Sequence, residues 1–261
     1  MMKPRAKKRF GQHFLHAEGI VNRIVHSANL REGDKILEIG PGLGALTKHL
    51  YKPCYRLQVV EYDKDMVAFL QERWPDLSLY QGDATQVNWP GLLDGSGWKC
   101  VSNLPYNVGT KIVTDLLVQA PLFSSLIVML QLEVAKRMIA KVGDRNRGSL
   151  STFIEIFSEA KILFRVPKGA FHPPPKVESA VIELVLRQDP LVPIVKKSKL
   201  EQFLKVLYSR PRKTIRNCLK TAYSSQESDF LLAFAQVDGG RRPATLHIEE
   251  IHQMLKGLDD I

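Results

Sequence analysis

The sequence predicts an α/β protein: a Rossmann-like, doubly wound sheet with helices on both faces, followed by a small all-helical domain. Strand and helix signals alternate from about residue 17 to residue 187, at the spacing of βαβ units. A glycine-rich turn, Glu38-Ile39-Gly40-Pro41-Gly42-Leu43-Gly44, follows the first of those strands and opens a helix. Beyond Gln188 no convincing strand remains.

The elements follow in order. An amphipathic helix carrying Ile20, Ile24 and Val25 on one face leads to the turn Arg31-Glu32-Gly33-Asp34. Residues 35–40 read as a strand and 45–51 as a helix; 57–62 is the second strand, before a helix through Met66, Phe69 and Leu70. A third strand, 77–81, ends at Gly82-Asp83, and a short buried strand, Lys99-Cys100-Val101-Ser102, precedes a helix through Ile112, Val113, Leu116 and Leu117. The almost wholly apolar 126–131 is the fifth strand and runs into a helix through Val134 and Met138. Residues 150–158 fit helix and strand alike; 162–166 and 180–186 read as strands flanking Phe171-His172-Pro173-Pro174-Pro175-Lys176. Pro190 and Pro193 mark 188–198 as a linker, and helices are expected around 199–208, 212–223, 228–236 and 247–257. This divides the chain into a domain of residues 1–187, whose first 16 form a basic arm, and a helical domain of residues 188–261.

The composition, 44% hydrophobic and 25% charged in 261 residues, is that of a globular chain with a sizeable core. Its charge is less ordinary: 37 Lys and Arg against 27 Asp and Glu give +10, which favours a polyanionic partner. The positive charge is clustered. Lys3, Arg5, Lys7, Lys8 and Arg9 precede any acid, the first being Glu18. Between Lys196 and Lys220 nine basic residues face a single acid, Glu201, an imbalance that suits a phosphate-contacting surface better than a solvated helix face. Cys54, Cys100 and Cys218 show neither zinc-ligand nor disulfide spacing, so no metal is expected and a reducing compartment is the default. No apolar run approaches the ~20 residues of a membrane span, and a cytoplasmic protein is expected. Nothing demands more than a monomer.

Asn103-Leu104-Pro105-Tyr106 closes the fourth strand, at the edge where such sheets bind ligands. Asn and Pro are common at any strand-to-helix turn. The set also suits the alkylation of an amine on an aromatic base, whose lone pair is delocalised into the ring. The Asn103 side-chain oxygen and the Leu104 carbonyl can each accept one N–H and draw the nitrogen toward a tetrahedral shape. Pro105 fixes the backbone direction, and Tyr106 offers a π-face for stacking. The glycine turn alone also satisfies the dinucleotide pattern, through Ala45. Three acids tilt it toward S-adenosylmethionine: Glu38 beside the glycines for an ammonium group, Glu61 for the ribose hydroxyls, and Asp83 in Gly82-Asp83-Ala84 for the adenine amine. Glu61 would serve NAD equally well; Asp83 has no counterpart need there.

With these pieces in place, the chain resembles the ribosomal RNA adenine N6,N6-dimethyltransferase family, most closely its bacterial small-subunit branch. The resemblance runs from Lys8 almost to the C-terminus. It rests on Lys8 to Leu15 (KRFGQHFL), Glu38-Ile39-Gly40-Pro41-Gly42, Asn103-Leu104-Pro105-Tyr106, Met129-Leu130-Gln131 with Glu133, Phe171 through Val177, Arg212-Lys213-Thr214 and Arg242-Pro243. It implies a class I S-adenosylmethionine-dependent methyltransferase fold. The implied reaction is methyl transfer to N6 of two adjacent adenines in a hairpin loop near the 3′ end of 16S rRNA, during small-subunit biogenesis. Gln12, His13, Leu15, Glu38, Gly40, Gly42, Glu61, Asp83, Ala84 and Asn103 would line the cofactor site. Phe171 would join Tyr106 in stacking on the target base, unless it anchors the proline loop as a core residue. Lys7, Lys8, Arg9, Arg147, Arg210, Arg212, Lys213, Arg216 and Lys220 would contact RNA.

Two positions depart from the family pattern. His13 stands where Asn is frequent, so only its backbone is expected to serve, and Leu132 replaces a frequent Lys. Other readings stay open: a large-subunit (23S) adenine methylase of the macrolide-resistance type, or an assembly factor that mainly binds RNA on this fold.

Overall fold

A two-residue strand, β1 (Phe14–Leu15), opens the regular structure of the computed structural model, which describes Pro4, Lys7 and residues 12–261. After α1 (Glu18–Ser27) the chain alternates between β2 (Lys35–Ile39), α2 (Thr47–Leu50), β3 (Arg56–Glu61), α3 (Lys64–Arg73), β4 (Leu79–Gln81), α4 (Trp89–Leu92), β5 (Trp98–Asn103), α5 (Gly109–Leu117) and β6 (Phe123–Gln131). It continues through α6 (Leu132–Met138), α7 (Ser149–Phe157), β7 (Ser158–Val166), β8 (Phe171–His172) and β9 (Ser179–Leu186). The central sheet has seven strands in the order β4-β3-β2-β5-β6-β9-β7.

Burial explains why these strands read as apolar runs. Ile36, Leu37, Glu38 and Ile39 are each at most 2% exposed, so both faces of β2 are covered. On α5 the apolar stripe Ile112, Val113, Leu116 and Leu117 is buried throughout. Each such side chain contributes ~1.5–3 kcal/mol of transfer free energy on burial. One core cluster joins Val21 and Ile24 of α1 to Ile36, Val59, Val101, Ile127 and Val181 of successive strands.

The five strands from β4 to β6 pair in parallel, and β9 runs antiparallel beside β6, with Met129 opposite Val181. β9 needs no helical crossover because its neighbour β7 precedes it by a short connection. That connection carries β8, which pairs antiparallel with β1: Phe14 opposite His172, Leu15 opposite Phe171. Two-residue strands are too short for a periodicity, and the sequence reading contains neither.

Two compact units emerge. The first runs to Ala135 and resumes over Ala160–Leu186; the second comprises Lys136–Glu159 and Arg187–Ile261. The sequence reading gave residues 136–159 to the first domain, whereas in the structure they pack with the C-terminal helices. The ambiguous 150–158 is helix α7. Its Phe153, Ile154 and Phe157 are buried, and its Thr152 hydroxyl lies 2.8 Å from the Tyr208 hydroxyl. Against it pack α8 (Lys197–Leu207) and α11 (Ile248–Gly257), with α9 (Ile215–Leu219) and α10 (Ser225–Phe234) completing the unit. The expected linker ends early because α8 begins at Lys197. The expected helix over 212–223 shrinks to five residues, capped by Thr214, whose side chain accepts from the Asn217 N–H.

Candidate active site

The parallel strands end on one cavity of about 280 Å3 in the first unit. The strand order sets its plan. Across β4, β3, β2 and β5 stand Asp83, Glu61, Glu38 and Asn103, and all four line the cavity. The glycine turn forms the floor, with Gly40 and Gly42 at φ +66° and +57°. A Cβ on Gly40 would sit 3.4 Å from the Pro105 ring, and one on Gly42 would sit 3.1 Å from the Phe14 ring. The left-handed backbone favours glycine at both positions, and at Gly42 the close Phe14 ring adds to that requirement.

Glu38 is 1% exposed and accepts a 2.8 Å hydrogen bond from the Thr47 hydroxyl. Burial pushes its carboxyl up to about 8, with the nearby Glu61 adding to the rise and the Thr47 bonds opposing it. Among the described residues no cation meets it. Glu61 is also buried and raised by burial, while the backbone N–H groups of Asp63, Gly42 and Tyr62 hold it down. Asp83 takes the N–H and hydroxyl of Thr85 on Oδ1 alone, at 2.9 and 2.8 Å. A buried carboxyl without a counter-cation, a side-chain-free floor and two further acceptors fit the ammonium, backbone, ribose and adenine of S-adenosylmethionine in that spatial order.

At the fourth strand end, Asn103 Nδ2 donates to the His13 carbonyl at 3.5 Å, which turns Oδ1 away from that contact. The Leu104 N–H donates to the Met129 carbonyl at 3.3 Å, and among the described residues nothing donates to the Leu104 carbonyl. The Tyr106 hydroxyl lies 2.5 Å from Ser179 Oγ, and its ring centroid lies 5.6 Å from that of His13. Ser102 behind it donates to the Ile39 carbonyl, tying β5 to the glycine turn.

Residues 12–15, ending in β1, form the facing wall. His13 Nδ1 is 2.8 Å from the Pro173 carbonyl, which can only accept, so Nδ1 carries the proton. Gln12 donates to Asp63 at 3.2 Å and accepts from the Lys7 N–H at 2.8 Å. The Lys7 ammonium meets Asp63 and Asp65, at 2.6 Å each.

Of the cofactor set, Gln12, His13, Leu15, Glu38, Gly40, Gly42, Glu61, Asp83, Ala84 and Asn103 all line the cavity, as do Leu104, Pro105 and Tyr106. Leu15 is at once lining and core.

Phe171 requires correction as a stacking residue. It is 2% exposed, belongs to the core cluster and is not among the lining residues, because pairing with Leu15 turns it inward. Arg147 requires correction as an RNA contact. Its side chain is fully buried, paired with Glu155 at 2.6 Å and bonded to the Ala140 and Leu246 carbonyls. Lys7 has its charge engaged by two acids, and Lys8 and Arg9 lie outside the described residues.

In the second unit, the basic run is partly neutralised by acids far away in sequence. Asp259 pairs with Lys196 and Lys199, and Asp229 with Arg216. Arg210, Arg212, Lys213 and Lys220 are exposed. Thr47, Asp63 and Ser179 were missed by sequence reasoning. Asp63 carried one signal, the N-cap position before the Met66, Phe69, Leu70 stripe, and it does cap α3. Thr47 and Ser179 carried none: one meets Glu38 across the glycine turn, the other a partner far along the chain, Tyr106.

The family profile described as "Ribosomal RNA adenine dimethylase" matches residues 3–260. The "Ribosomal RNA small subunit methyltransferase A" of Syntrophotalea carbinolica is 40% identical over 255 residues, covering 97% of each chain. Its Pseudomonas aeruginosa namesake is 37% identical over 261 residues, covering 98% of this chain and 96% of that one. Among solved structures, a dimethyladenosine transferase from Plasmodium falciparum matches with a TM-score of 0.74 at 24% identity, over 95% of this chain and 98% of that one, a likeness of fold. The 23S rRNA methyltransferase ErmE matches with a TM-score of 0.66 at 26% identity, over 94% of this chain and 99% of that one.

Proposed function

The chain belongs to the ribosomal RNA adenine dimethylase family, and on that premise we propose that it is the S-adenosylmethionine-dependent dimethyltransferase of small-subunit (16S) rRNA. Its targets are N6 of two adjacent adenines in a hairpin loop near the 3′ end, methylated in the cytoplasm during subunit biogenesis by a monomer. The observation that carries this reading is the pairing, at one cavity edge, of a Leu104 carbonyl that no described residue fills with an Asn103 amide whose Nδ2 already donates to the His13 carbonyl. Two acceptors are then on offer to one amine.

Bound along the acids and glycines, S-adenosylmethionine supplies a methyl group already activated on a sulfonium. The residues mainly position the reactants for in-line displacement. Asn103 Oδ1 and the Leu104 carbonyl accept the two N–H bonds of the adenine amine, which withdraws its lone pair from the ring and aims it across the cavity. Tyr106 stacks on the extruded base. The amine leaves the transfer as a cation acidic enough to release its proton to water, so no strong base is required. Arg210, Arg212, Lys213 and Lys220, exposed on the helical unit, supply phosphate contacts. The same role extends to Lys8 and Arg9.

The test is transfer of labelled methyl from S-adenosylmethionine to undermethylated small subunits, with large subunits in parallel, followed by nucleoside analysis. N6,N6-dimethyladenosine from small subunits alone is expected. Label confined to large subunits, or no label in RNA, overturns the reading.

A further inference from the structure

Stacking on a purine requires a π-face and no hydroxyl, yet the aromatic residue beside Asn103 is a tyrosine whose hydroxyl is committed. The Tyr106 phenol is 2.5 Å from Ser179 Oγ. Ser179 is the first residue of β9, is 0% exposed, and sits in register with Gln131 of β6. It is therefore fixed by the β6–β9 ladder, while Tyr106 belongs to the loop that leaves β5. The other side of the ring is bounded too: the His13 imidazole lies 5.6 Å away at 32°, itself held to the Pro173 carbonyl at 2.8 Å. One end of the ring is thus tethered and one flank buttressed before any base arrives.

We infer that Ser179 is a positioning residue for methyl transfer: its hydroxyl holds the Tyr106 ring at a fixed offset from Asn103, so that the protein sets the slot in which the target adenine stacks. The inference rests on the reading that Tyr106 receives the adenine. A ring free to swing about its first side-chain torsion would still stack, but over a range of offsets. Only some of these bring the amine within reach of both Asn103 Oδ1 and the Leu104 carbonyl. The loss then falls on the transfer step, because the acceptors and the cofactor residues are untouched.

Ser179→Ala and Tyr106→Phe remove the two halves of the bond separately. Tyr106→Phe leaves the buried Ser179 in place, so it tests the tether even if Ser179→Ala folds poorly. Each variant is expected to slow single-turnover transfer at saturating RNA about threefold to tenfold, the range for one net hydrogen bond. The double variant should be no slower than the slower single one, since both remove the same contact. Affinity for S-adenosylmethionine, read by calorimetry, should stay within about twofold, which a general loss of structure would not allow. Wild-type rates in both variants, losses that multiply in the double variant, or a parallel loss of cofactor affinity would each overturn the tether. If the wild-type protein transfers no methyl to RNA, the functional reading falls first and the tether with it. An active wild type matched by its variants sinks the tether alone.

Discussion

The cavity of the first unit and the interior of the helical unit both bury polar side chains, but leave them in opposite states. Around the cavity, Glu38 has Thr47 for a partner and no cation among the described residues, and Asn103 commits its N–H to His13 while keeping its oxygen. In the helical unit, Arg147 meets Glu155 and two carbonyls, and Tyr208 meets Thr152 and the Pro243 carbonyl; among the described residues the Arg147 Nε and the Ser228 Oγ are buried there without a partner, and neither lines the cavity. Residual hydrogen-bonding capacity that faces a cavity, rather than burial or charge alone, separates groups that await a ligand from groups that hold the fold.

Truncating one group on each side is the sharpest test of that contrast. Arg147→Ala strands Glu155 and two carbonyls, and should cost about 3 kcal/mol of stability. A urea midpoint equal to that of the wild type would break the comparison. Asn103→Ala should leave stability close to normal while lowering single-turnover transfer about a hundredfold, the scale of removing one preorganised electrostatic contact. Cofactor affinity should change less than about threefold, and near-normal transfer would discard the role assigned to Asn103.

The basic surface allows the same contrast with a smaller expected effect. Reversing Arg212 and Lys213 to Glu should reduce the slope of log affinity for RNA against log salt by about 1.5, since each lost phosphate contact removes roughly 0.7–0.9. Arg216→Ala should change it less, because Asp229 already engages that charge. Equal slopes in all three proteins would remove this surface from the reading.

Glu38 gives the smallest signal. A carboxyl raised from 4.5 to about 8 holds an extra proton in the folded state, so stability without ligand falls as pH rises between those values and levels off above them. A bound ammonium lowers that value again, so binding S-adenosylmethionine at pH 7 should release up to about one proton. Calorimetry in buffers of different ionisation enthalpy reads this directly. The release should vanish well above pH 8 and in Glu38→Gln; its persistence there would detach Glu38 from the ammonium.

The parallel strands were legible because burial on both faces turns them into apolar runs, and the acids at their ends were legible because strand ends share one edge. Residues 150–158 were not, since Ser149-Leu150-Ser151-Thr152-Phe153-Ile154-Glu155-Ile156-Phe157 is apolar at either period. Arg147 and Phe171 misled for a common reason: residue type suggests a contact, and only packing decides which way the side chain faces. The count of nine cations against one acid misled differently, because Asp229 and Asp259 supply partners from outside the window.

The pairing of Phe14 with His172 has a consequence for how the molecule is born. One wall of the cavity is translated long before the segment that clasps it, with most strands of the central sheet made in between. A nascent chain halted before residue 171 carries the glycine turn and the asparagine motif but lacks the partner of its own N-terminal strand. Competence to hold the methyl donor should therefore arise abruptly during synthesis, as this long-range closure forms, rather than accumulate strand by strand.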